Sequence, residues 1–349
     1  MDYAQIDSTY YCGIDLHARS MYVCIMDRSG NILFHREMRN EFSLLLAALE
    51  PYRPQVAIGV ESTFNWYWLA DGCRSAGIPF YLGHALYMKA VHGGKKKNDR
   101  IDSKVITDLL RGNLFPLAYP YPQQMRATRD LLRRRHRYVA LRAEAYTHIQ
   151  NTFSQHAVLD LAATEVKKKS TRRTIPQRLP HPDLSLTVDC DLEVIDTLDA
   201  LISQLEKHIW QQAKDHDRNA LEILTSTPGV GEILALTILY EIHTIRRFPS
   251  PQCLASYARL VKVERTSDGK PVAQGHGNNK IGNPHLKWAF GEILLHAQRQ
   301  SEPIRKTYER LQSKHGPGKA KSILAHKFAI AIYYLLKNGQ VFDEHRFVN

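Results

Sequence analysis

Between residues 9 and 60 apolar and polar positions change places at almost every step. "YYCGIDLH", "MYVCIMD" and "NILFHREM" each alternate, and short turns such as Ser29-Gly30 join them. Alternation with a period of two is the mark of a half-buried strand, so this stretch predicts three consecutive antiparallel strands. The pattern then changes. "EFSLLLAALEPY" has helical spacing and stops near Pro51, "QVAIGVEST" is a short apolar run suited to a buried strand, and "NWYWLADGCRSAG" is a helix closed by Gly77. "IPFYLG" adds another strand. From Arg100 to Gly112, "RIDSKVITDLLRG" sets Ile101, Val105, Ile106, Leu109 and Leu110 on one helical face. The predicted order is β-β-β-α-β-α-β-α, a mixed sheet flanked by helices.

"FPLAYPYPQQ" at 115–124 carries three prolines and predicts a linker. Beyond it a long helical pattern runs from about Met125 to Glu165, followed by the polar, basic "KKKSTRRTIPQRLPHPD". A second helical run repeats Ile195, Leu198, Ile202, Leu205 and Ile209 at steps of three and four, so two long helices with a coiled-coil seam are expected. "LTSTPGVGEILALTILYEI" and a glycine- and lysine-rich segment then open a third, mainly helical region. The expected class is α/β plus α, with boundaries at 1–122 for the sheet unit, 123–222 for the hairpin and 223–349 for the last unit.

Composition narrows the function. Apolar residues make up 44% and charged residues 23% of 349, ordinary for a chain that buries a sizeable core. The longest apolar runs fall short of the ~20 residues a bilayer needs, and the N-terminus lacks the basic and apolar regions of a secretory signal. No membrane role and a cytosolic location are expected. Cys12, Cys24, Cys73, Cys190 and Cys253 are odd in number and lack a CxxC pair, which predicts buried, reduced thiols. The net charge of +12 favours a polyanionic partner, nucleic acid before membrane. Between 126 and 178 stand thirteen Lys or Arg against four acids, including Arg133, Arg134, Arg135, Lys167, Lys168, Lys169, Arg172 and Arg173. They form either a cationic arm or an ordinary solvated helix face.

Against that basic background four acids invite a chemical reading. Asp15 lies among apolar residues of the first strand, Glu61 closes the fourth, and Asp99 and Asp102 sit three apart at a helix start behind Lys95, Lys96 and Lys97. Each alone is as well explained by exposure on a polar face or strand end. In a ribonuclease H-like sheet, however, the first and fourth strands are neighbours, and the helix after the last strand could bring Asp99 and Asp102 over them. Four converging carboxylates repel one another, and a pair of divalent cations is the natural compensation. Such a pair clamps the attacking and leaving oxygens of a phosphodiester. The lysines would then meet nucleic acid. A kinase or ATPase also begins on a G-I-D strand, but no second phosphate loop or Walker motif follows. Of the seventeen histidines only His17 stands near the four acids.

In the last region "STPGVGEILA" offers Gly229 and Gly231 in a turn that either presents backbone N–H groups to a phosphate or only joins two helices. Ser256 lies in an apolar helical pattern, whereas Ser267 stands in an accessible Thr-Ser-Asp-Gly-Lys turn. Taken together, "GIDLH", "VEST", "NDRIDSK", "TPGVG", "FPSPQCLASYARL", "TSDGK", "KIGNPHLKWA" and "KNGQVFD" resemble, in order and over nearly the full length, the Piv-like invertases and DEDD-type insertion-sequence transposases, the group called bridge-RNA-guided recombinases. The family's serine-glycine pair is here extended to Ser267-Asp268-Gly269.

The resemblance implies a RuvC-like domain, a coiled-coil hairpin and a transposase domain, assembled as a tetramer of two dimers in which the tetrad of one subunit meets the serine of another. It implies Mg²⁺ held by Asp15, Glu61, Asp99 and Asp102, Ser267 as nucleophile, a phosphoserine intermediate, and a structured noncoding guide RNA pairing with target and donor DNA. Arg259, Lys270, Lys280 and Lys287 stand near the nucleophile in sequence, as phosphate contacts or as solubilising charge. Two other readings remain open on the residues: a junction-resolving, water-using nuclease, and a nucleic-acid-binding protein without catalysis.

Overall fold

The alternating N-terminal segments form an antiparallel meander in the computed structural model of the chain: β1 (Tyr10–Leu16), β2 (Ser20–Asp27) and β3 (Ile32–Arg39). The structure describes residues 3–91, 98–158, 161–214, 216–261, 266–267, 270–271 and 281–348. After β3 come α1 (Phe42–Leu49), β4 (Val56–Glu61), α2 (Tyr67–Ser75), β5 (Phe80–Gly83), α3 (Ala85–Val91) and α4 (Asp99–Arg111). The sheet order is β3-β2-β1-β4-β5, and β4 lies parallel to both β1 and β5. This is the mixed sheet the alternation predicted, with the first and fourth strands side by side. The short helix α3 is additional.

Strand parity divides the sheet into two buried faces. Cys12, Ile14 and Leu16 of β1 join Val56, Ile58 and Val60 of β4 in the core that packs with residues of α1 and α2. Tyr11 and Ala57 face the other way, into a core with Ile106, Leu109 and Leu110 of α4 and with Phe115. On this second face the register sets Gly13 opposite Gly59. A Cβ on Gly13 would stand 2.4 Å from the Thr107 backbone nitrogen and 2.5 Å from the Ser103 carbonyl oxygen, and one on Gly59 would stand 3.0 Å from Leu110. The absence of two side chains therefore lets α4 lie directly on β1 and β4. Its deepest face is Ser103, Thr107 and Leu110, while Ile101 and Val105 of the expected apolar face are only half-buried. Thr107 Oγ1 accepts from the Gly13 amide at 3.1 Å, so this polar contact is satisfied.

The proline-bearing stretch after α4 is not a free linker. Phe115 is fully buried, the Pro116 carbonyl accepts from the His84 amide at 2.7 Å, and the Ala118 amide donates to the Leu82 carbonyl at 2.7 Å. These bonds stitch the segment beside β5.

The chain forms two compact units, Met1–Gln124 and Met125–Asn349. The second holds most of α5 (Gln123–Gln155), the short α6 (Ala163–Lys167) and α7 (Lys169–Arg172), the long α8 (Pro182–Ala213), then α9 (Arg218–Thr225), α10 (Glu232–Ile242) and α11 (Pro251–Tyr257). The two-residue strands β6 (Thr266–Ser267) and β7 (Lys270–Pro271) pair antiparallel, and α12 (Pro284–Gln300), α13 (Glu302–His315), α14 (Pro317–Asn338) and α15 (Glu344–Val348) complete the unit. Its main core surrounds α10, in which every residue from Leu234 to Ile242 is buried. The long helices and those that follow them belong to this unit.

Two expectations about the long helices need correction. The first helix stops at Gln155, ten residues before Glu165. Ala157 takes a positive φ of 56°, and the Val158 amide turns back to the Phe153 carbonyl at 3.0 Å. This is a left-handed helix stop built without the glycine that usually announces it. The coiled-coil seam is also interrupted. Ala145, Ile149 and Phe153 of α5 pack with Val188, Leu192 and Ile195 of α8, but no residue of α5 from 133 to 144 is buried. Across that gap Arg135 pairs with Glu206 and Arg142 with Asp199, each at 2.5 Å. Seven residues forward on α5 match seven backward on α8, so the helices run antiparallel, held there by ion pairs.

All five cysteines are free, but only Cys12, Cys24 and Cys73 are buried; Cys190 and Cys253 are exposed, contrary to expectation. No helix among the described residues is long and apolar enough to cross a membrane.

Candidate active site

The site grows out of the close approach of α4 to Gly13. Asp15 lies two residues farther along β1, hence on the same face, and Asp99 precedes Ser103 by one helical turn. The start of α4 is fixed locally. Asn98 caps the helix by accepting from the Ile101 amide at 2.8 Å, and His35 Nε2 on β3 lies 2.9 Å from the Arg100 carbonyl and 3.2 Å from Ser103 Oγ. With both anchors in place, the first turn of α4 projects over the end of β1.

There His17 Nε2 stands 3.3 Å from Asp15 Oδ2 and 3.2 Å from Asp99 Oδ1. One ligand-type atom from each of Asp15, His17 and Asp99 lies within 4.8 Å of the others. Asp15 is only 8% exposed, while Asp99 and His17 face solvent, so the cluster opens outward. Burial pushes the Asp15 carboxyl above its ordinary range. The His17 imidazole opposes that rise, and the negative charges of Asp102 and Asp99 add to it. A half-desolvated carboxylate facing two others suits a hard cation, which would offset both burial and repulsion. On the chemistry of its donors, the cluster fits a divalent metal ion.

Glu61 reaches the same neighbourhood by register. The last ladder pair of the parallel strands is Ile14 with Val60, and Asp15 and Glu61 each follow by one residue. Both stand on the face that carries Gly13 and Gly59. The structure thus brings Asp15, Asp99 and Asp102 into electrostatic contact and sets Glu61 beside Asp15 in register. His17, which the sequence marks as the histidine near the four acids without giving it a role, offers its Nε2 to the cluster. Its signal was its place two residues beyond Asp15.

The second unit gives a mixed account of the other candidates. Ser267 and Lys270 are paired backbone positions of β6 and β7, while their side chains, like Lys95, Lys96, Lys97 and Lys280, lie outside the described residues. Arg134, Lys167, Lys168, Lys169, Arg173 and Lys287 are exposed. Arg172 is not: at 4% exposure it pairs with Asp196 and, at 2.9 Å, with Asp199, so its charge is spent inside the unit. Arg133 and Arg135 are likewise committed, to Glu241 and Glu206. Arg259 is partly buried and donates to the Gly282 carbonyl at 3.0 Å. Gly229 also serves packing. Its φ is +84°, a Cβ there would stand 2.4 Å from the Ile293 carbonyl oxygen, and its amide donates to Gln300 Oε1 at 2.7 Å. That amide has no free hydrogen for a phosphate, whereas Gly231 is exposed at the start of α10.

Comparison with known proteins bears on both units. Residues 12–158 match the transposase family DEDD_Tnp_IS110, and residues 221–309 match the transposase family IS116/IS110/IS902. A candidate mini-circle transposase for IS117 from Streptomyces coelicolor is 23% identical, covering 97% of this chain and 96% of its own length. The transposase for insertion sequence element IS1111A from Coxiella burnetii is 21% identical, over 95% of this chain and 90% of its own. An insertion element IS110 protein of 43.6 kDa from Streptomyces coelicolor is 27% identical over 42% of this chain and 39% of its own.

Proposed function

Because this chain belongs to the IS110-type DEDD transposases, we propose that its sheet unit is a RuvC-like, Mg²⁺-dependent site acting with Ser267 to cut and rejoin DNA under the direction of a structured noncoding RNA. The observation that carries this reading is the gathering of Asp15, His17 and Asp99 within 4.8 Å where α4 crosses β1. Asp15, Glu61, Asp99 and Asp102 would hold the cation, with the His17 nitrogen as an adjacent donor. Bound there, it would withdraw charge from the phosphoryl oxygens as the transition state forms.

The chain's own part is positional and nucleophilic. Asp15 and Glu61 sit on strand ends, and Asp99 and Asp102 on a capped helix, so their spacing is set by backbone elements and not by loops. Ser267 Oγ attacks a DNA phosphorus, the bond to the 3′ oxygen breaks, and the proton lost by serine balances the one gained by the 3′ hydroxyl. A 3′ hydroxyl of the partner strand then attacks the 5′-phosphoserine, and the serine oxygen leaves and regains a proton. Each step exchanges one phosphodiester for another, so no nucleotide hydrolysis is required. Exposed Lys167, Lys168, Lys169 and Arg173 supply a backbone-binding surface for DNA or RNA. The working assembly on this reading is a tetramer of two dimers bound to target and donor DNA.

The test is covalent trapping of labelled DNA on denatured protein, with the element's own noncoding RNA, its DNA ends and Mg²⁺. Asp15→Ala and Ser267→Ala are each expected to abolish the adduct. Strand cutting that survives Ser267→Ala without an adduct would replace this reading with a water-using nuclease.

A further inference from the structure

Phe64 is 81% exposed, more than any other large apolar side chain among the described residues. Single exposed apolar residues are common on protein surfaces and ordinarily call for no explanation. Phe64 differs in its placement and its support. It lies three residues past Glu61, a backbone span of at most about 10 Å, in the loop between β4 and α2.

That loop is braced at both ends, to Gly83 and Ala85 on one side and to the His17 backbone on the other. The Ser62 amide donates to the Gly83 carbonyl at 2.9 Å, and Ser62 Oγ accepts from the Ala85 amide at 3.4 Å. The Thr63 amide donates to the Glu61 carbonyl at 2.8 Å, and Thr63 Oγ1 donates to Asn65 Oδ1 at 3.0 Å. Asn65 Nδ2 in turn donates to the His17 carbonyl at 2.5 Å, the same carbonyl that accepts from Asn40 Nδ2 at 2.8 Å. The Phe64 backbone is thereby referenced to His17, whose side chain lies between Asp15 and Asp99. Arg19, exposed in the β1–β2 turn, shares this rim, for its carbonyl accepts from the Asn40 amide at 3.2 Å.

An aromatic ring held in water on a braced loop, with a basic residue on a turn anchored to the same His17 backbone through Asn40, suits the stacking of an unpaired base. We infer that Phe64 is a positioning residue that stacks on a DNA base next to the phosphate at the Asp15 site, and that Arg19 steadies the adjoining backbone. Stacking tolerates any base, because every base has a π face, so this contact would set where the strand lies without choosing its sequence. This deepens the reading of the site as a DNA-cutting centre and rests on it.

The test uses the full chain and a mixed-sequence single-stranded DNA oligonucleotide. Phe64→Trp is an internal reporter. Its emission, after subtraction of the parent's four tryptophans, is expected to be quenched on saturation, and the variant is expected to bind as the parent does. Phe64→Ala is expected to bind about 10- to 100-fold more weakly and to raise KM for cutting more than it lowers kcat, with an unchanged melting temperature. An unchanged affinity in Phe64→Ala, or a reporter emission indifferent to saturating DNA, overturns the inference. So does a shift in oligomeric state without a change in DNA binding, which would make Phe64 part of a contact between copies. Failure of the underlying reading looks different: cutting would survive Asp15→Ala while the reporter emission still responded to DNA.

Discussion

Gly13 shows how much one missing side chain decides. Its Cβ position is filled by the backbone of α4, so Gly13→Ala must lift the helix that carries Asp99 and Asp102. Overpacking of this kind costs about 1–3 kcal/mol. The expected outcome is that loss in urea denaturation and, on the proposed reading of the site as a Mg²⁺ centre, a smaller rise in melting temperature on adding Mg²⁺ than in the parent. Gly291 offers the contrast. It lies inside α12, with no atom within 4 Å of its would-be Cβ. Gly291→Ala should therefore stabilise the chain by about 0.5–1 kcal/mol in the same urea titration, through helix propensity alone. Local sequence does not say which of the two tolerates a side chain, because that is set by the neighbour.

Three helices of the second unit meet at one buried carboxylate. Glu241 of α10 receives Arg129 and Arg133 of α5 and, at 2.7 Å, the amide of Asn283, which also caps α12. Burial pushes the Glu241 carboxyl up, but the hydrogen bond from Arg133 and the charges of Arg129 and Arg133 outweigh it and hold the group down to about 2. Removing one partner of such a cluster leaves charge buried without compensation, so Glu241→Ala should cost about 3–5 kcal/mol in chemical denaturation. His285, at the start of α12, titrates the other way in effect. Burial first, then the Arg133 charge, lower its pKa to about 4, against about 6.5 in an unfolded chain. Below pH 6.5 the unfolded chain takes up a proton that the folded unit refuses until about pH 4. Stability is therefore expected to fall as the pH drops from 6.5 to 4, and His285→Phe should flatten that slope in melting temperatures recorded across the range. None of these partnerships shows in a helical periodicity, since they join residues more than forty positions apart.

Charge is where the whole molecule and its sequence part company. The net charge of +12 correctly points to a polyanion for a transposase, but it does not say which cations remain available. In the basic stretch after α5, Lys167, Lys168, Lys169 and Arg173 are exposed, while Arg172 is consumed by Asp196 and Asp199. Replacing the four exposed residues with Gln should reduce the slope of log affinity against log salt by up to about 3.6, at about 0.9 for each phosphate left without its cation, as read by fluorescence anisotropy of bound DNA. Arg172→Gln should leave that slope alone and lower the melting temperature instead.

The strand and helix order of the sheet unit and its mixed character were legible from residue spacing, because alternation is a local property of a pleated chain. So was the family, whose short motifs recur in order along the sequence. The α5 stop was hidden because Ala157 does a glycine's work, and the helix seam was misread because ion pairs stand where apolar steps were expected. Only the tertiary structure decided that His17 enters the carboxylate cluster, that Phe64 stands in water on a braced loop, and which basic residues stay free. All three depend on contacts between stretches far apart in the chain, and periodicity along the chain carries no information about those contacts.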